Sequence, residues 1–301
     1  MNQARTAYTA YGATALFVLL WSSGAIFSKW GLAHATPFAF LVLRFALALT
    51  ALLALAGAAR QPWLPPRGAR GRVAATGLTM IGGYSICYFL ALDHGITPGV
   101  LATTLGAQPL LTLALLERRY PLPRVMGLAL ALGGLALVVW DSIGLARYSA
   151  AGMLYALGAL LCMTGGAILQ KSLRQPPLQA LPLQYATGLL LCVACVPLQP
   201  WQLSGGMALW VPLLWLSLVI SVGATLLLYR LIQAGNLVNV TSLFYLVPGV
   251  TALLDYLLLG NRLAPLSLAG MAAILAGLAL VFRAAPRAWP RPSRYEGKKR
   301  A

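Results

Sequence analysis

Ten apolar runs, each long enough to cross a bilayer, constrain this chain more than any other feature. A membrane-spanning helix needs about 20 predominantly apolar residues, and such runs occupy almost the whole of the 301-residue sequence. Segments that carry Pro, Gly or Arg separate them. The sequence therefore predicts an all-α integral membrane protein with ten transmembrane helices. The predicted helices are 11–32, 37–58, 73–92, 99–117, 124–141, 149–171, 179–199, 209–232, 238–259 and 264–283.

The composition excludes soluble classes of protein. Only 9 % of the residues are charged and 60 % are hydrophobic, whereas a soluble domain has about 25 % charged residues. In a soluble chain, 22 Lys and Arg against 5 Asp and Glu would suggest a nucleic-acid partner. Here the basic residues lie mostly between the apolar runs, so membrane topology explains them. We expect the lipid bilayer as a partner and no nucleic acid.

Few residues could carry covalent or metal chemistry. The chain has two histidines, His34 and His94, both in predicted loops, and its four cysteines lie within apolar runs without zinc-ligand spacing. An intramembrane protease or transferase would need a Ser–His pair, a metal cluster or paired acids at depth. No G-x-x-x-x-G-K-[ST] motif is present, which argues against an ATP-driven pump. We therefore predict no catalytic residue, no metal site and no cofactor, and an enzyme is the least favoured function.

Lys and Arg are distributed asymmetrically between the loops. Cytoplasmic segments collect these residues, and an N-terminus placed inside puts nearly all loop cations on one side, with only Arg147 and Arg262 in outer loops. This predicts a multi-pass protein of the bacterial inner (plasma) membrane with both termini cytoplasmic. The cytoplasmic N-terminus is residues 1–10, and residues 284–301 form a basic cytoplasmic tail. The inner cations are Arg5, Arg60, Arg67, Arg70, Arg72, Arg118, Arg119, Arg124, Lys171, Arg174, Arg230, Arg283, Arg287, Arg291, Arg294, Lys298, Lys299 and Arg300.

The chain contains an internal repeat. The stretch from Ser22 to Lys29 resembles that from Thr164 to Lys171, an offset of 142 (164 minus 22). The sequence Gly-Leu-Ala-Leu-Val occurs at Gly134 and again at Gly277, an offset of 143 (277 minus 134). Apolar sequence matches itself easily, but two matches at nearly one offset are much stronger.

The repeat divides the chain into two halves of five helices. The first half is 11–141 and the second is 149–283. Because five is odd, the second half crosses the membrane with opposite polarity. Inverted repeats of this kind are typical of secondary transporters, whose substrate sites lie near the midplane between the halves.

At this point the sequence resembles the drug/metabolite transporter superfamily in its ten-helix form, over about residues 10–284. Each similar motif is weak evidence alone, but the order of the motifs along the chain supports the resemblance. Within the superfamily the chain is similar to bacterial aromatic amino-acid exporters. The sequence departs from the multidrug relatives, because its first predicted helix has no acid, and it has Asn261-Arg262 where Glu-Arg is frequent. The features that carry the resemblance are Leu20-Trp21-Ser22-Ser23-Gly24, Lys29, Pro37, Leu43-Arg44-Phe45, Pro109, Pro248 and Glu117-Arg118.

The resemblance implies a secondary transporter that exports small apolar metabolites by alternating access, with aromatic and other hydrophobic amino acids as the expected substrates. A multidrug or cation exporter of the same superfamily is the alternative. It would need a buried acid in the cavity, and the sequence offers only Glu117 and Asp255, both near helix ends.

Aromatic, small and polar residues share single helical faces and form the candidate substrate site. Each of these faces has an alternative interpretation, in which its small and polar residues only pack helices together. Aromatic rings beside a Met provide an adaptable wall for an apolar side chain. The candidate substrate-binding residues are Trp21, Ser22, Met80, Tyr84, Tyr88, Gln108, Tyr229 and Tyr245.

Two cations lie within predicted helices. Charges inside a membrane span are functional candidates by default, so Lys29 and Arg44 are assigned to gating or structure. Lys29 and Lys171 are near helix ends, where their ammonium groups can reach the interface. The sequence does not name a partner for Arg44.

The charge distribution yields a topology prediction. Reporter fusions at Gly68 and Gln202 should place Gly68 inside and Gln202 outside, because the predicted helices alternate between them. Activity of a periplasmic reporter against that of a cytoplasmic reporter measures this. If both positions lie on the same side of the membrane, the inverted repeat is contradicted.

Overall fold

A computed structural model describes residues 2–117, 121–138, 140, 149–247, 249–250 and 265–284. Within these ranges the regular structure is helical, apart from one isolated bridge between Ala35 and Leu203. We number the helices in chain order. They are α1 (Asn2–Leu32), α2 (Pro37–Ala58), α3 (Arg67–Asp93), α4 (Pro98–Leu116), α5 (Leu122–Val138), α6 (Ala150–Ser172), α7 (Pro177–Leu198), α8 (Met207–Ala234), α9 (Leu237–Ser242) and α10 (Pro265–Arg283).

The prediction of an all-α membrane protein is confirmed for the described residues. Eight helices are long and apolar enough to cross a membrane; they are α1, from Thr14 onward, α2, α3, α4, α6, α7, α8 and α10. The predicted helix 124–141 corresponds to α5, which is apolar but only 17 residues long. The predicted helix 238–259 lies partly outside the described residues, so the count of ten stays a prediction. Arg118, Arg119, Asp141, Arg147, Pro248, Asp255, Asn261, Arg262 and the tail beyond residue 284 also lie outside them.

Proline and short polar residues set the helix starts. Proline is the first residue of α2, α4 and α7, where its missing N–H is not needed. The side chains of Thr97 and Asn236 cap α4 and α9 by accepting from the N–H groups of Val100 and Asn239, at 3.4 and 3.3 Å. These two caps are separated by 139 residues (236 minus 97), the same offset that relates Pro109 to Pro248.

Two helices widen into π-helical segments at their middle. In α3 the segment is Gly77–Gly83, and in α8 it is Trp215–Ala224. Each π turn accommodates an extra residue and is frequent at functional sites. The two helices are the third of each predicted half, so the irregularity occurs at corresponding places.

Four glycines let α5 and α10 approach at their backbones. A Cβ on Gly134 would lie 2.6 Å from the carbonyl oxygen of Gly270, and a Cβ on Gly270 equally close to that of Gly134. The same reciprocal contact joins Gly127 and Gly277, at 2.7 and 2.5 Å. Small residues at a membrane helix interface allow this close packing.

These contacts obey the repeat offset. Adding 143 to Gly127 gives Gly270, and subtracting 143 from Gly277 gives Gly134. The contact of Gly127 with Gly277 therefore corresponds, under the repeat offset, to the contact of Gly270 with Gly134. A pseudo-twofold relation between α5 and α10 would produce this pattern, so it supports the predicted repeat.

The bundle has two ends of different chemistry. At the first end, which we call the loop end, the segments 33–36 and 199–206 meet. There Thr36 Oγ1 donates to the Pro200 carbonyl at 2.9 Å, and the Gln199 amide reaches Asp93 at 3.3 Å. At the opposite end, the basic end, the segments 59–66, 173–176 and 235–236 connect helices, and Glu117 and Pro121 lie beside the ends of α4 and α5. Most of the described Lys and Arg side chains lie there, and Gly68 and Gln202 are at opposite ends.

The glycine crossing can be tested by adding one methyl group. Gly134→Ala should lower the thermal unfolding midpoint of the detergent-solubilised protein, because its Cβ would overlap the Gly270 carbonyl. Overpacking of this kind costs about 1–3 kcal/mol. The matched control is Gly133→Ala, whose Cβ would have no atom within 4 Å. Equal midpoints for the two variants would contradict backbone contact at this crossing.

Candidate functional site

A large cavity lies in the middle of the bundle. It contains about 1080 Å³ of empty space, including the part that is open to solvent. Ligand sites are concave and occur between the helices of bundles, so this cavity is the candidate site. Helices from both halves contribute to its walls. The lining residues are Trp21, Gly24, Ala25, Ser28, Arg44, Phe45, Met80, Ile81, Tyr84, Ser85, Tyr88, Phe89, Pro98, Ala102, Leu105, Gly106, Gln108, Met163, Tyr185, Leu216, Ile220, Thr225, Phe244 and Val247.

The cavity extends from the centre of the bundle toward the loop end. Trp21 and Met80 line its inner part, whereas Ser28 is near the end of α1 and Pro98 is the first residue of α4. Both of these last residues are close to segments that form the loop end. No described lining residue comes from the short connections of the basic end.

Aromatic side chains form much of the wall. The rings of Tyr84 and Tyr88, one turn apart on α3, have centroids separated by 5.7 Å. The two predicted halves meet at Trp21, whose indole packs edge-on against Phe244 at 5.4 Å. Such rings can pack against the planar side chain of a ligand as they do against one another.

The π segments bring further apolar side chains to the cavity, among them Met80 and Ile220. Met80 lies in the π segment of α3, and Gly166 of α6 is so close that a Cβ there would be 2.5 Å from Met80 Cβ. Ile220 lies in the π segment of α8. Irregular backbone at membrane depth occurs where it is buried in protein or lines a cavity, and both segments fit that rule.

Arg44 lines the cavity and is anchored by its Nε. This atom donates to Ser221 Oγ at 3.0 Å, which answers the question of a partner that the sequence left open. The guanidinium carbon lies 5.8 Å from the ring centre of Phe45 and 5.9 Å from that of Phe89. Arg44 therefore sits between aromatic rings, a favourable site for a cation.

Sequence reasoning missed Tyr185, which fixes the Arg44 anchor from the other side. Its hydroxyl donates to the Ser221 carbonyl at 2.7 Å, and its ring packs edge-on against Phe45. Tyr185 is fully buried and belongs to α7. The available signal was its distance from Arg44, 141 residues (185 minus 44), which is close to the offsets of 142 and 143 that define the predicted repeat.

Gln108 is a buried polar residue at the cavity wall. It is 2 % exposed, and its Nε2 has no hydrogen-bond partner among the described residues. An unsatisfied buried donor costs about 1–3 kcal/mol, so such a group is expected to meet a ligand or water. It lies at the break in α4, directly after Gly106 and Ala107.

Four of the predicted site residues do not line the cavity. Ser22 is buried and donates to the carbonyls of Val18 and Val247, at 2.6 and 3.2 Å. Tyr229 and Tyr245 are fully buried in apolar clusters and are not among the lining residues. Lys29 is exposed near the end of α1. The cavity does bring together Trp21, Met80, Tyr84, Tyr88, Gln108 and Arg44.

A polar network closes the basic end, and sequence reasoning did not assemble it. Arg124 is fully buried; it pairs with Glu117 at 2.5 Å and donates to the Asn236 and Asn239 side chains at 2.8 and 3.0 Å. Glu117 had been associated with Arg118, which is next in sequence. The spacing of seven between Glu117 and Arg124 in the sequence, with Pro121 and Pro123 between them, was the available signal.

Lys171 belongs to the same closed end. Its Nζ donates to the carbonyls of Ile232 at 2.6 Å, Gly235 at 2.5 Å and Gln233 at 3.2 Å. These carbonyls lie at the C-terminal end of α8 or directly after it, where helices leave carbonyls unpaired and a cation is stabilising. Lys171 thus binds protein carbonyls instead of only extending to the interface.

The charge of the cavity follows from its lining. Arg44 is its one described cation, and no Asp or Glu is among the described lining residues. The remaining polar groups are hydroxyls, indole N–H and the Gln108 amide. The cavity therefore combines aromatic surface with a positive centre.

Two stretches of the chain, residues 9–140 and 150–283, match the model of the EamA-like transporter family. The chain belongs to this family of transporters. The family is part of the drug/metabolite transporter superfamily, so the resemblance found in the sequence is confirmed. The EamA-like transporter is thus a membrane protein that moves a small molecule, and it is not an enzyme.

Two known proteins are similar to the chain over most of its length. A "Probable amino-acid metabolite efflux pump" of Salmonella typhimurium (strain LT2) is 28 % identical over 287 residues, which cover 87 % of this chain and 91 % of that protein. A crystal structure superimposes with a TM-score of 0.73 at 21 % identity, over 91 % of this chain and 96 % of the other. The second match shows the fold.

Proposed function

We propose that this EamA-like transporter exports aromatic and other hydrophobic amino acids by alternating access. The observation that carries the proposal is the aromatic cavity between helices of both halves, with Trp21 facing Phe244 and Tyr84 beside Tyr88. Aromatic surface gives apolar contact without strong directional demands. Such a cavity would accept several apolar side chains rather than one.

The repeat supports alternating access. The two family matches, 9–140 and 150–283, fall on the proposed halves 11–141 and 149–283. Inverted halves can rock about the site between them and expose it to each side in turn. The reciprocal glycine contacts of α5 and α10 add a structural reason for this division. Residues 1–10 and 284–301 are then a cytoplasmic N-terminus and tail.

The different chemistry of the two ends supports an orientation of the bundle in the membrane. Lys and Arg mark cytoplasmic segments, and the basic end holds most of these residues. In the proposed orientation the basic end faces the bacterial cytoplasm and both termini lie there. The described conformation is then open toward the outside and closed toward the cytoplasm by Arg124, Glu117 and Lys171.

A multidrug or cation exporter fits the cavity less well. A cation in a membrane cavity needs an acid or a dense set of oxygens to replace its water. The described lining offers Arg44 and no carboxylate. The aromatic cavity with a positive centre therefore favours amino acids over cationic drugs.

Uptake of labelled amino acids into proteoliposomes tests this function. We expect saturable, stereoselective transport of Trp, Phe, Tyr and Leu down their own gradients. Because no carboxylate lies among the described lining residues, we also expect transport to persist when the pH gradient is collapsed. Complete loss of transport without a pH gradient would contradict proton-independent movement, and failure to move any hydrophobic amino acid would overturn the substrate assignment.

Truncation of the aromatic wall should selectively weaken the binding of aromatic substrates. Trp21→Ala or Tyr84→Ala removes a ring contact worth about 0.5–1.5 kcal/mol beyond buried area, which is roughly a two- to tenfold rise in KM for Phe or Trp. A change in KM larger for Trp than for Leu would identify a ring contact.

The matched control is Trp210→Ala. Trp210 is exposed on α8 and does not line the cavity, so its loss should leave KM unchanged. If Trp21→Ala and Tyr84→Ala fold and keep wild-type KM for aromatic substrates, these rings only pack the bundle.

A further inference from the structure

We propose that Arg44 binds the carboxylate of the substrate, and that aromatic monocarboxylates without an amine are substrates in their own right. The proposal rests on the export function above and specifies its substrate class. It makes the carboxylate, rather than the amino group, the polar feature that this transporter recognises.

The first argument is the cost of a cation at this depth. Arg44 lies about one-third along α2, a helix of 22 residues of which all the others are apolar or small. A charged group inside a membrane protein pairs with another group or faces a functional path. Among the described residues, the only ion pair is that of Arg124 with Glu117, so no described carboxylate neutralises Arg44.

The second argument is the direction in which Arg44 is held. A guanidinium has five N–H donors in one plane, and the Nε donor is used by Ser221 Oγ. Ser221 is itself held by the Tyr185 hydroxyl. Since this anchor occupies the Nε edge, the donors on Nη1 and Nη2 remain for a ligand. Two N–H groups side by side match the two oxygens of a carboxylate.

The third argument is a second donor in the same cavity. Gln108 Nε2 is buried without a partner among the described residues, and Gln108 lines the cavity together with Arg44. Phe45 and Phe89 flank the guanidinium and limit its hydration. A cation, an unpaired amide donor and low hydration together favour the binding of an anionic ligand.

The fourth argument concerns the substrate's ammonium group. The described lining contains hydroxyls, such as those of Ser28 and Tyr88, but no Asp or Glu that could pair with a positive charge. An ammonium near Arg44 is repelled by it and gains little from hydroxyls. An aromatic 2-hydroxy or 2-oxo acid keeps the favourable contacts and avoids this repulsion.

Ligand binding to the wild-type protein tests the proposal without any variant. Calorimetry on the full chain in detergent should compare phenylalanine, phenyllactate and phenethylamine, which share one ring. Phenyllactate should bind at least as tightly as phenylalanine, and phenethylamine about tenfold or more weakly, as expected for loss of a charge-assisted hydrogen-bonded contact. Binding of phenethylamine as tight as that of phenyllactate would overturn the proposal.

Variants of Arg44 identify the receptor. Arg44→Gln should abolish the preference for phenyllactate over phenethylamine, and Arg44→Lys should retain part of it because it keeps the charge without the fork. Arg230→Gln is the control, since Arg230 is exposed and outside the cavity lining. A preference that persists in folded Arg44→Gln would refute the role of Arg44.

Transport separates this proposal from the function on which it rests. Proteoliposomes should take up labelled phenyllactate, and phenylalanine should compete with it. If phenylalanine is transported and phenyllactate is not, the substrate class proposed here is wrong while amino-acid export stands. If phenyllactate binds through Arg44 and is transported but phenylalanine is not, the carboxylate assignment stands and amino-acid export fails.

Discussion

The need to satisfy backbone hydrogen bonds in hydrocarbon governs the architecture of this protein. Only helices do so within one segment, which is why irregular backbone at membrane depth is confined to places buried in protein or facing a cavity. The described bundle follows this closely. The π segment of α3 supplies Met80, that of α8 supplies Ile220, and the break in α4 supplies Gly106 and Gln108. All of them border one cavity, so departures from regular helix mark the candidate site.

A second constraint is the absence of a hydrophobic driving force between helices in lipid. Backbone contact between glycines replaces it where α5 crosses α10. The contact of Gly134 with Gly270, and its counterpart of Gly127 with Gly277, lie away from the cavity lining. A close, small-residue crossing fixes the distance between two helices while requiring few interlocking side chains. In the proposed mechanism, such a crossing would hold the two halves together while the cavity between them changes its opening.

Sequence patterns predicted the helices better than the site, for physical reasons. Hydropathy identifies α2 or α6 directly because a helix in lipid needs a long apolar run. A helical-wheel projection, at 100° per residue, places Tyr84 and Tyr88 on one face because both lie on α3. The same wheel could not place Tyr229 or Ser22, since a helix buried on several sides has more than one polar face. The contact of Arg44 with Ser221 joins residues 177 apart. It depends on how α2 packs against α8, which no local pattern contains.

The basic end is closed by ionic and polar contacts, which water can replace. Burying Arg124 with Glu117 costs desolvation energy, which their attraction offsets only with excellent geometry and full hydrogen bonding. If the bundle opens there, as alternating access requires, water can solvate both ions and offset the lost hydrogen bonds to Asn236 and Asn239. An apolar closure would instead expose its whole buried surface, at about 25 cal/mol per Å². A polar closure therefore keeps the closed and open forms nearer in free energy, so that the binding energy of a small substrate is large enough to shift their balance.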